Sequence, residues 1–76
     1  MDRKVLFGKV LREAREATEH SQESFADAAE MDRTTISLLE RGKQSPTMET
    51  VWKLSEHLDV KPSELMARVE KLIAES

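Results

Sequence analysis

The stretch SQESFADAAEMDRTTISLLERGK, residues 21–43, decides the fold of this 76-residue chain. Ser21 is a good N-cap for one helix of about two turns, and Asp32 is a good cap for the helix that follows it. Gly42 ends that second helix as a left-handed C-cap, because glycine tolerates a positive φ. The stretch therefore predicts two short helices joined by a tight turn.

Three further helices flank this pair. The first, over about residues 3–18, carries one buried stripe at the helical spacing i, i+3, i+4, i+7. The members of this stripe are Phe7, Val10, Leu11 and Ala14. Thr47 caps a helix over about residues 48–57, and Pro62 begins a last helix that continues to about residue 75. The sequence thus predicts one all-α domain, 1–76, of five compact helices with an extended C-terminal helix.

Composition limits the classes of function. Twelve Lys+Arg against fifteen Asp+Glu give a net charge of −3, which excludes binding to nucleic acid by a basic tail alone. The chain has no cysteine, which excludes a disulfide framework and a cysteine-based zinc site and favours the cytoplasm. No apolar run is long enough to span a bilayer, so we expect no membrane partner.

Catalytic and metal-binding patterns are missing from the sequence. The two histidines, His20 and His57, are far apart and have no cluster of further ligands around them. No nucleophile–base pair can be assembled from the scattered carboxylates and hydroxyls. We therefore expect no metal, no cofactor and no enzymatic activity.

The arrangement of two short helices around a tight turn is a helix-turn-helix, predicted here over residues 21–41. In this motif the second helix enters the DNA major groove while the first crosses the backbone. The outward positions of the second helix are Arg33, Thr34, Ser37, Leu38 and Arg41. Arg33 can donate two hydrogen bonds to guanine, and Leu38 can touch a thymine methyl group. The alternative for these outward positions is an ordinary solvated helix face. The alternative for Leu38 is a surface leucine that contacts no DNA.

The chain from residue 7 to 65 resembles the Cro/C1-type (XRE-like) helix-turn-helix domain of phage repressors and small bacterial regulators. The segments that carry the resemblance are SQESFA at 21–26, RTTISLLERGK at 33–43 and SPT at 45–47. The resemblance implies a lambda-repressor-like fold. It also implies a bacterial or phage-encoded transcription regulator, such as a small repressor or a restriction–modification controller protein.

The resemblance further implies roles for individual residues. The positions that match base-reading residues are Arg33, Thr34, Ser37 and Leu38. The positions that match contacts to the DNA backbone are Gln22, Thr35, Arg41, Lys43 and Gln44. Arg15 and Glu40 match an interior ion pair that ties the first helix to the third. Glu30 stands where the family has a glycine, so we expect a left-handed conformation there at a cost of about 1 kcal/mol.

The last helix indicates a homodimer. Two copies of the motif about 34 Å apart can read a palindromic operator on one face of the DNA. The expected dimer interface is a stripe of four apolar side chains that would otherwise be exposed: Met66, Val69, Leu72 and Ile73. The alternative is that this helix folds back on its own domain. Trp52 suits either the core or the interface, and we expect it in the core.

Two function classes remain at this point. The leading hypothesis is a sequence-specific regulator that binds a double-stranded DNA operator as a homodimer. The alternative is a protein-interaction module, such as an antitoxin that neutralises a toxin, which the acidic surface and the apolar last helix would suit. The candidate protein partners are therefore a second copy of the chain, RNA polymerase and a toxin.

Overall fold

The computed structural model describes residues 2–76, so of the predicted domain only Met1 lies outside it. The described residues form five α-helices and no strand. The helices are α1 (Arg3–Ala17), α2 (Gln22–Ala29), α3 (Arg33–Glu40), α4 (Met48–Glu56) and α5 (Pro62–Glu75). The predicted all-α fold is confirmed, and the predicted helix ends agree to within about a residue. Within residues 2–76, none of the helices combines the length and the apolar character needed to cross a bilayer.

Short polar side chains cap most of the helix N-termini. The Ser21 side chain accepts a hydrogen bond from the Ser24 N–H at 3.0 Å, and Thr47 accepts one from the Thr50 N–H at 3.1 Å. The expectation that the Asp32 side chain caps α3 is wrong, because its carboxylate makes no capping hydrogen bond. Only the Asp32 backbone takes part, through its carbonyl oxygen, which accepts from the Ile36 N–H at 3.2 Å.

Left-handed residues end both helices of the pair. Gly42 has φ +71°, and the N–H of the next residue, Lys43, donates to the Leu38 carbonyl at 2.9 Å. Glu30 has φ +55° in the equivalent place after α2, so the expected left-handed conformation at this non-glycine residue is confirmed. The sharp reversal after each helix therefore comes from one residue that leaves the helical conformation.

Replacing Glu30 by glycine is expected to raise the free energy of unfolding by about 0.5–1 kcal/mol, because glycine has no Cβ to strain at a positive φ. Urea denaturation followed by circular dichroism measures the change. Ala28→Gly is the control, since Ala28 is exposed inside α2 and glycine should cost about 1 kcal/mol there. A loss of stability in Glu30→Gly would show that the left-handed backbone holds no strain to relieve.

The core is formed by the inward faces of all five helices. Its largest fully buried side chains are Phe25, Leu11, Ile36, Leu39, Leu54 and Leu65. Trp52 is not among them, because 53% of its surface is exposed, so the expectation that it lies in the core is wrong. Val51 and Leu54 point inward from α4, and Trp52 lies about 100° around the helix from Val51.

The long α5 packs along α1. This packing buries Val69 in the core of the protomer and places Leu72 against the edge of that core. The expectation that the protomer leaves Val69 and Leu72 uncovered is therefore wrong. Met66 and Ile73, the other two residues of the expected stripe, remain exposed.

The backbones of α1 and α3 approach each other closely at Gly8. A Cβ atom at this position would lie 2.5 Å from the Leu39 carbonyl oxygen and 2.6 Å from that of Glu40. Both neighbours are backbone atoms, which cannot turn aside as a side chain can. The distance between α1 and α3 therefore depends on the missing side chain of Gly8.

Candidate nucleic-acid interface

The structure leaves the N-terminal end of α3 open to solvent. Ile36 and Leu39 are fully buried and hold one side of the helix against the core. Arg33 and Thr34, at the other side of its first turn, are exposed. The end of the helix that would enter a DNA groove is thus neither packed inside the protomer nor covered by it.

The four side chains expected to read bases share one face of α3 with Arg41. Their positions, 33, 34, 37, 38 and 41, follow each other at helical spacing on a single outward stripe. Ser37 and Leu38 are half-buried beside the exposed Arg33 and Thr34. The Arg41 guanidinium donates a hydrogen bond from Nε to the Ser37 hydroxyl at 3.2 Å. This face can present donors, hydroxyls and one apolar side chain to the edges of base pairs.

The residues expected to contact the DNA backbone lie at the two ends of this face. Lys43 and Gln44 are exposed in the turn that follows Gly42. Gln22 is the first residue of α2, and its side chain is half-buried against the end of α3. Thr35 is half-buried in the first turn of α3. The fold thus places donors from α2 and from the following turn beside the C-terminal end of α3, and Thr35 beside its N-terminal end.

The segment that contains α3 differs in charge from the whole chain. Residues 31–50 contain three acidic and three basic residues, a net charge of zero, against −3 overall. The three bases, Arg33, Arg41 and Lys43, are all exposed. Of the three acids, Glu40 is turned inward, so the solvated balance here favours positive charge. Such a surface attracts phosphate more than the total charge indicates.

A buried ion pair holds α3, which carries the candidate interface, against α1. The Arg15 guanidinium donates from Nε to Glu40 Oε2 at 2.6 Å and from Nη2 to Glu40 Oε1 at 3.0 Å. The two side chains are 10% and 2% exposed, respectively. The hydrogen bond to Glu40 raises the pKa of Arg15 above its ordinary value, although burial lowers it. The two members of the expected pair thus connect α1 to the end of α3.

Sequence reasoning missed an apolar groove between α1, α4 and α5. The groove has a volume of about 500 Å³, and Phe7, Val51 and Val69 lie among its lining residues. Three exposed side chains, Met48, Trp52 and Met66, also line it, and we call these three the α4–α5 apolar surface. The signal in the sequence was the pair of large apolar residues on α4 that fall outside its core stripe.

Known proteins are similar to this chain over most of its length. The helix-turn-helix family model HTH_3 matches residues 11–65, which include all of α2, α3 and α4. Control protein C.MunI of a Mycoplasma species is 41% identical over 71 residues, covering 92% of this chain and 96% of that protein. Control protein C.BamHI of Bacillus amyloliquefaciens is 34% identical over 64 residues, covering 83% and 79%.

A solved structure is similar to this chain in its three-dimensional fold. The crystal structure of the restriction-modification controller protein C.AhdI from Aeromonas hydrophila superposes with a TM-score of 0.78 at 39% sequence identity. The superposition covers 82% of this chain and 90% of that chain. The similarity therefore extends over most of both proteins.

Proposed function

The chain belongs to the HTH_3 family of helix-turn-helix proteins, as its resemblance to Cro/C1-type domains predicted, and from that premise we propose a specific function. The protein is a sequence-specific regulator of transcription that binds a double-stranded DNA operator in the cytoplasm. It acts as a homodimer on a palindromic site. Since similar proteins are named control proteins and a restriction-modification controller protein, we assign it to the controllers of such systems.

One observation carries this proposal: α3 is anchored by buried residues on one side and open on the other. Arg33 and Thr34 are exposed at its tip, which suits insertion into a major groove. In this assignment the residues that face bases are Arg33, Thr34, Ser37 and Leu38. The residues that face phosphates are Gln22, Thr35, Arg41, Lys43 and Gln44. Arg33 supplies the donor pair that matches guanine O6 and N7.

The charge of the chain shapes how this binding works. Phosphate contacts supply most of the affinity for arbitrary DNA, and a net charge of −3 weakens that attraction. A regulator of this kind therefore depends on base contacts and on two protomers bound together. We expect weak binding to arbitrary DNA sequences and a clearly higher affinity for the palindromic operator.

Replacing Arg33 by alanine is expected to cost about 1–3 kcal/mol on the operator and to relax the base preference at one position in each half-site. Lys43→Ala should instead weaken binding to all sequences alike and lower the slope of log K against log salt by about one per protomer. The operator sequences for this test are obtained by letting the purified protein select from a random DNA pool. Fluorescence anisotropy then measures the affinities.

Lys71→Ala is the matched control for both variants, since it removes an exposed positive charge from α5. Its affinity should stay within about twofold of the wild-type value, as for a surface charge distant from the bound DNA. An unchanged operator affinity in Arg33→Ala would contradict the base-reading role. A selection that returns no preferred sequence would contradict the function itself.

The homodimer is proposed to form through the α4–α5 apolar surface together with Ile73. Met48 is 75% exposed, which is unusual for so large an apolar side chain. Met66 and Ile73 lie two turns apart on one face of α5. A twofold axis beside α5 would bury these residues against their copies. The expected interface therefore keeps Met66 and Ile73 and gains Met48 and Trp52, whereas Val69 and Leu72 support it from within the protomer.

Trp52→Glu is expected to raise the dimer dissociation constant at least about tenfold, because it places a charge in an apolar contact. Sedimentation equilibrium measures the dissociation constant. Circular dichroism should show an intact fold, since the side chain is half-exposed in the protomer. Ala17→Glu adds the same charge at an exposed position of α1 and should leave dimerisation unchanged.

The antitoxin alternative gives a different result in the same experiments. A toxin would cover the α4–α5 apolar surface in place of a second copy. The chain purified alone would then be monomeric. When purified from its native host, it would carry a stoichiometric protein partner. A dimer that dissociates in Trp52→Glu, and not in Ala17→Glu, would contradict a toxin as the occupant of this surface.

A further inference from the structure

We propose that Glu40 is a positioning residue for DNA binding: its buried carboxylate holds the amide of Gln22 so that one N–H of this amide stays available for a DNA phosphate. The inference rests on the proposed function and assigns to Glu40 a role beyond its ion pair with Arg15. It concerns how a neutral side chain at the start of α2 is prepared to bind an anion.

The geometry joins three elements at one carboxylate. Glu40 Oε1 accepts a hydrogen bond from Gln22 Nε2 at 3.0 Å, in addition to the one from Arg15 Nη2. Glu40 Oε2 accepts from Arg15 Nε. The Arg15 guanidinium also donates from Nη1 to the carbonyl oxygen of His20 at 2.7 Å, two residues before Gln22. One network therefore holds both the backbone that enters α2 and the side chain of its first residue.

The chemistry of the amide explains why the acceptor matters. A glutamine side chain carries one acceptor oxygen and two N–H donors, and only the donors can bind phosphate. A carboxylate can only accept, so Glu40 selects the orientation in which the nitrogen of Gln22 faces it. One N–H is used in that bond and the other remains free. The side chain is also held in one rotamer before DNA arrives, which reduces the entropy lost on binding.

The negative charge of Glu40 does not prevent this role. Arg15 pairs with both oxygens of the carboxylate, so the pair as a whole is close to neutral towards a nearby phosphate. The ion pair also satisfies both oxygens without Gln22. The third hydrogen bond is therefore not needed to compensate the buried charge, and its evident effect is on the position of Gln22.

Phosphate ethylation interference on the selected operator tests this inference. We compare the wild-type protein with Gln22→Met, Glu40→Gln and the double variant, each at a temperature where circular dichroism shows it folded. We expect Gln22→Met to lose the interference at one phosphate per half-site and to bind about tenfold more weakly, as for a lost charge-assisted hydrogen bond. Glu40→Gln should weaken the interference at the same phosphate, because a carboxamide presents a donor as well as an acceptor and no longer fixes which end of the Gln22 amide faces it. The double variant should bind no more weakly than Gln22→Met, because both changes act on one interaction.

Gln44→Met is the comparison variant, since Gln44 is an exposed glutamine in the turn after α3 that is assigned to a different phosphate. It should lose the interference at its own phosphate and leave that at the phosphate assigned to Gln22 unchanged. If Glu40→Gln weakens all phosphate contacts alike, or if its effect adds fully to that of Gln22→Met, then Glu40 only stabilises the fold and the inference is overturned. If the wild-type protein gives no interference pattern on any duplex, the proposed function fails, and the inference falls with it.

A second measurement needs no change at Glu40 and so does not depend on the stability of Glu40→Gln. Nitrogen-15 relaxation in the free wild-type protein reports the mobility of each glutamine side-chain amide. We expect the Gln22 amide to be ordered and that of Gln44 to be mobile. A Gln22 amide as mobile as that of Gln44 would overturn the inference.

Discussion

Replacing Arg15 by methionine will lower the free energy of unfolding by about 3–5 kcal/mol, because it leaves the Glu40 carboxylate buried without its cation. The carboxylate is 2% exposed, so water cannot replace the guanidinium. A domain of 76 residues is stabilised by about 4–11 kcal/mol in total. The variant should therefore unfold at a much lower urea concentration than the wild-type protein, as followed by circular dichroism.

Two further variants make this prediction specific. Arg12→Met removes a cation from the exposed Arg12–Glu16 pair, whose nitrogen–oxygen distance is 3.4 Å, and should change stability by less than about 1 kcal/mol. Adding Glu40→Leu to Arg15→Met should restore much of the lost stability, since no charge then remains buried. Equal losses in Arg12→Met and Arg15→Met would contradict the assignment of a buried pair.

Gly8→Ala will destabilise the protein by about 2–3 kcal/mol, although alanine is the better helix former. In an exposed helix the same change would stabilise by about 1 kcal/mol. Here the new Cβ would lie 2.5 Å from the Leu39 carbonyl oxygen, so α1 and α3 must move apart. Because α3 is the proposed recognition helix, operator affinity should fall together with stability. Urea denaturation and fluorescence anisotropy measure the two effects.

Lys9→Ala is the matched control for Gly8→Ala, since Lys9 is the next residue of α1 and is exposed. Lys9→Ala places the same alanine in α1 at a position that does not approach α3, and its stability should stay within about 0.5 kcal/mol of the wild-type value. A Gly8→Ala protein that is more stable than the wild type would show that α1 and α3 can separate without cost.

Local patterns in the sequence were sufficient to predict the positions of the helices and the resemblance to the helix-turn-helix family. Apolar spacing and capping residues placed the five helices because both act within a few residues of the chain. The spacing of the segments around α2 and α3 indicated the helix-turn-helix family, whose model matches residues 11–65. The left-handed Glu30 was also expected, because Glu30 stands where the resemblance to the family places a glycine.

The partners of residues that lie at the edge of an apolar stripe were decided only by the tertiary structure. Trp52 lies beside the core stripe of α4 and Val69 lies within the apolar stripe of α5, yet Trp52 is exposed and Val69 is buried, because α5 packs along α1 and leaves the outer side of α4 open. The contact of Gly8 with Leu39 and the hydrogen bond of Gln22 to Glu40 join residues far apart in sequence. Helical periodicity determines which face a residue occupies, but the neighbour that covers this face is set by how the helices pack.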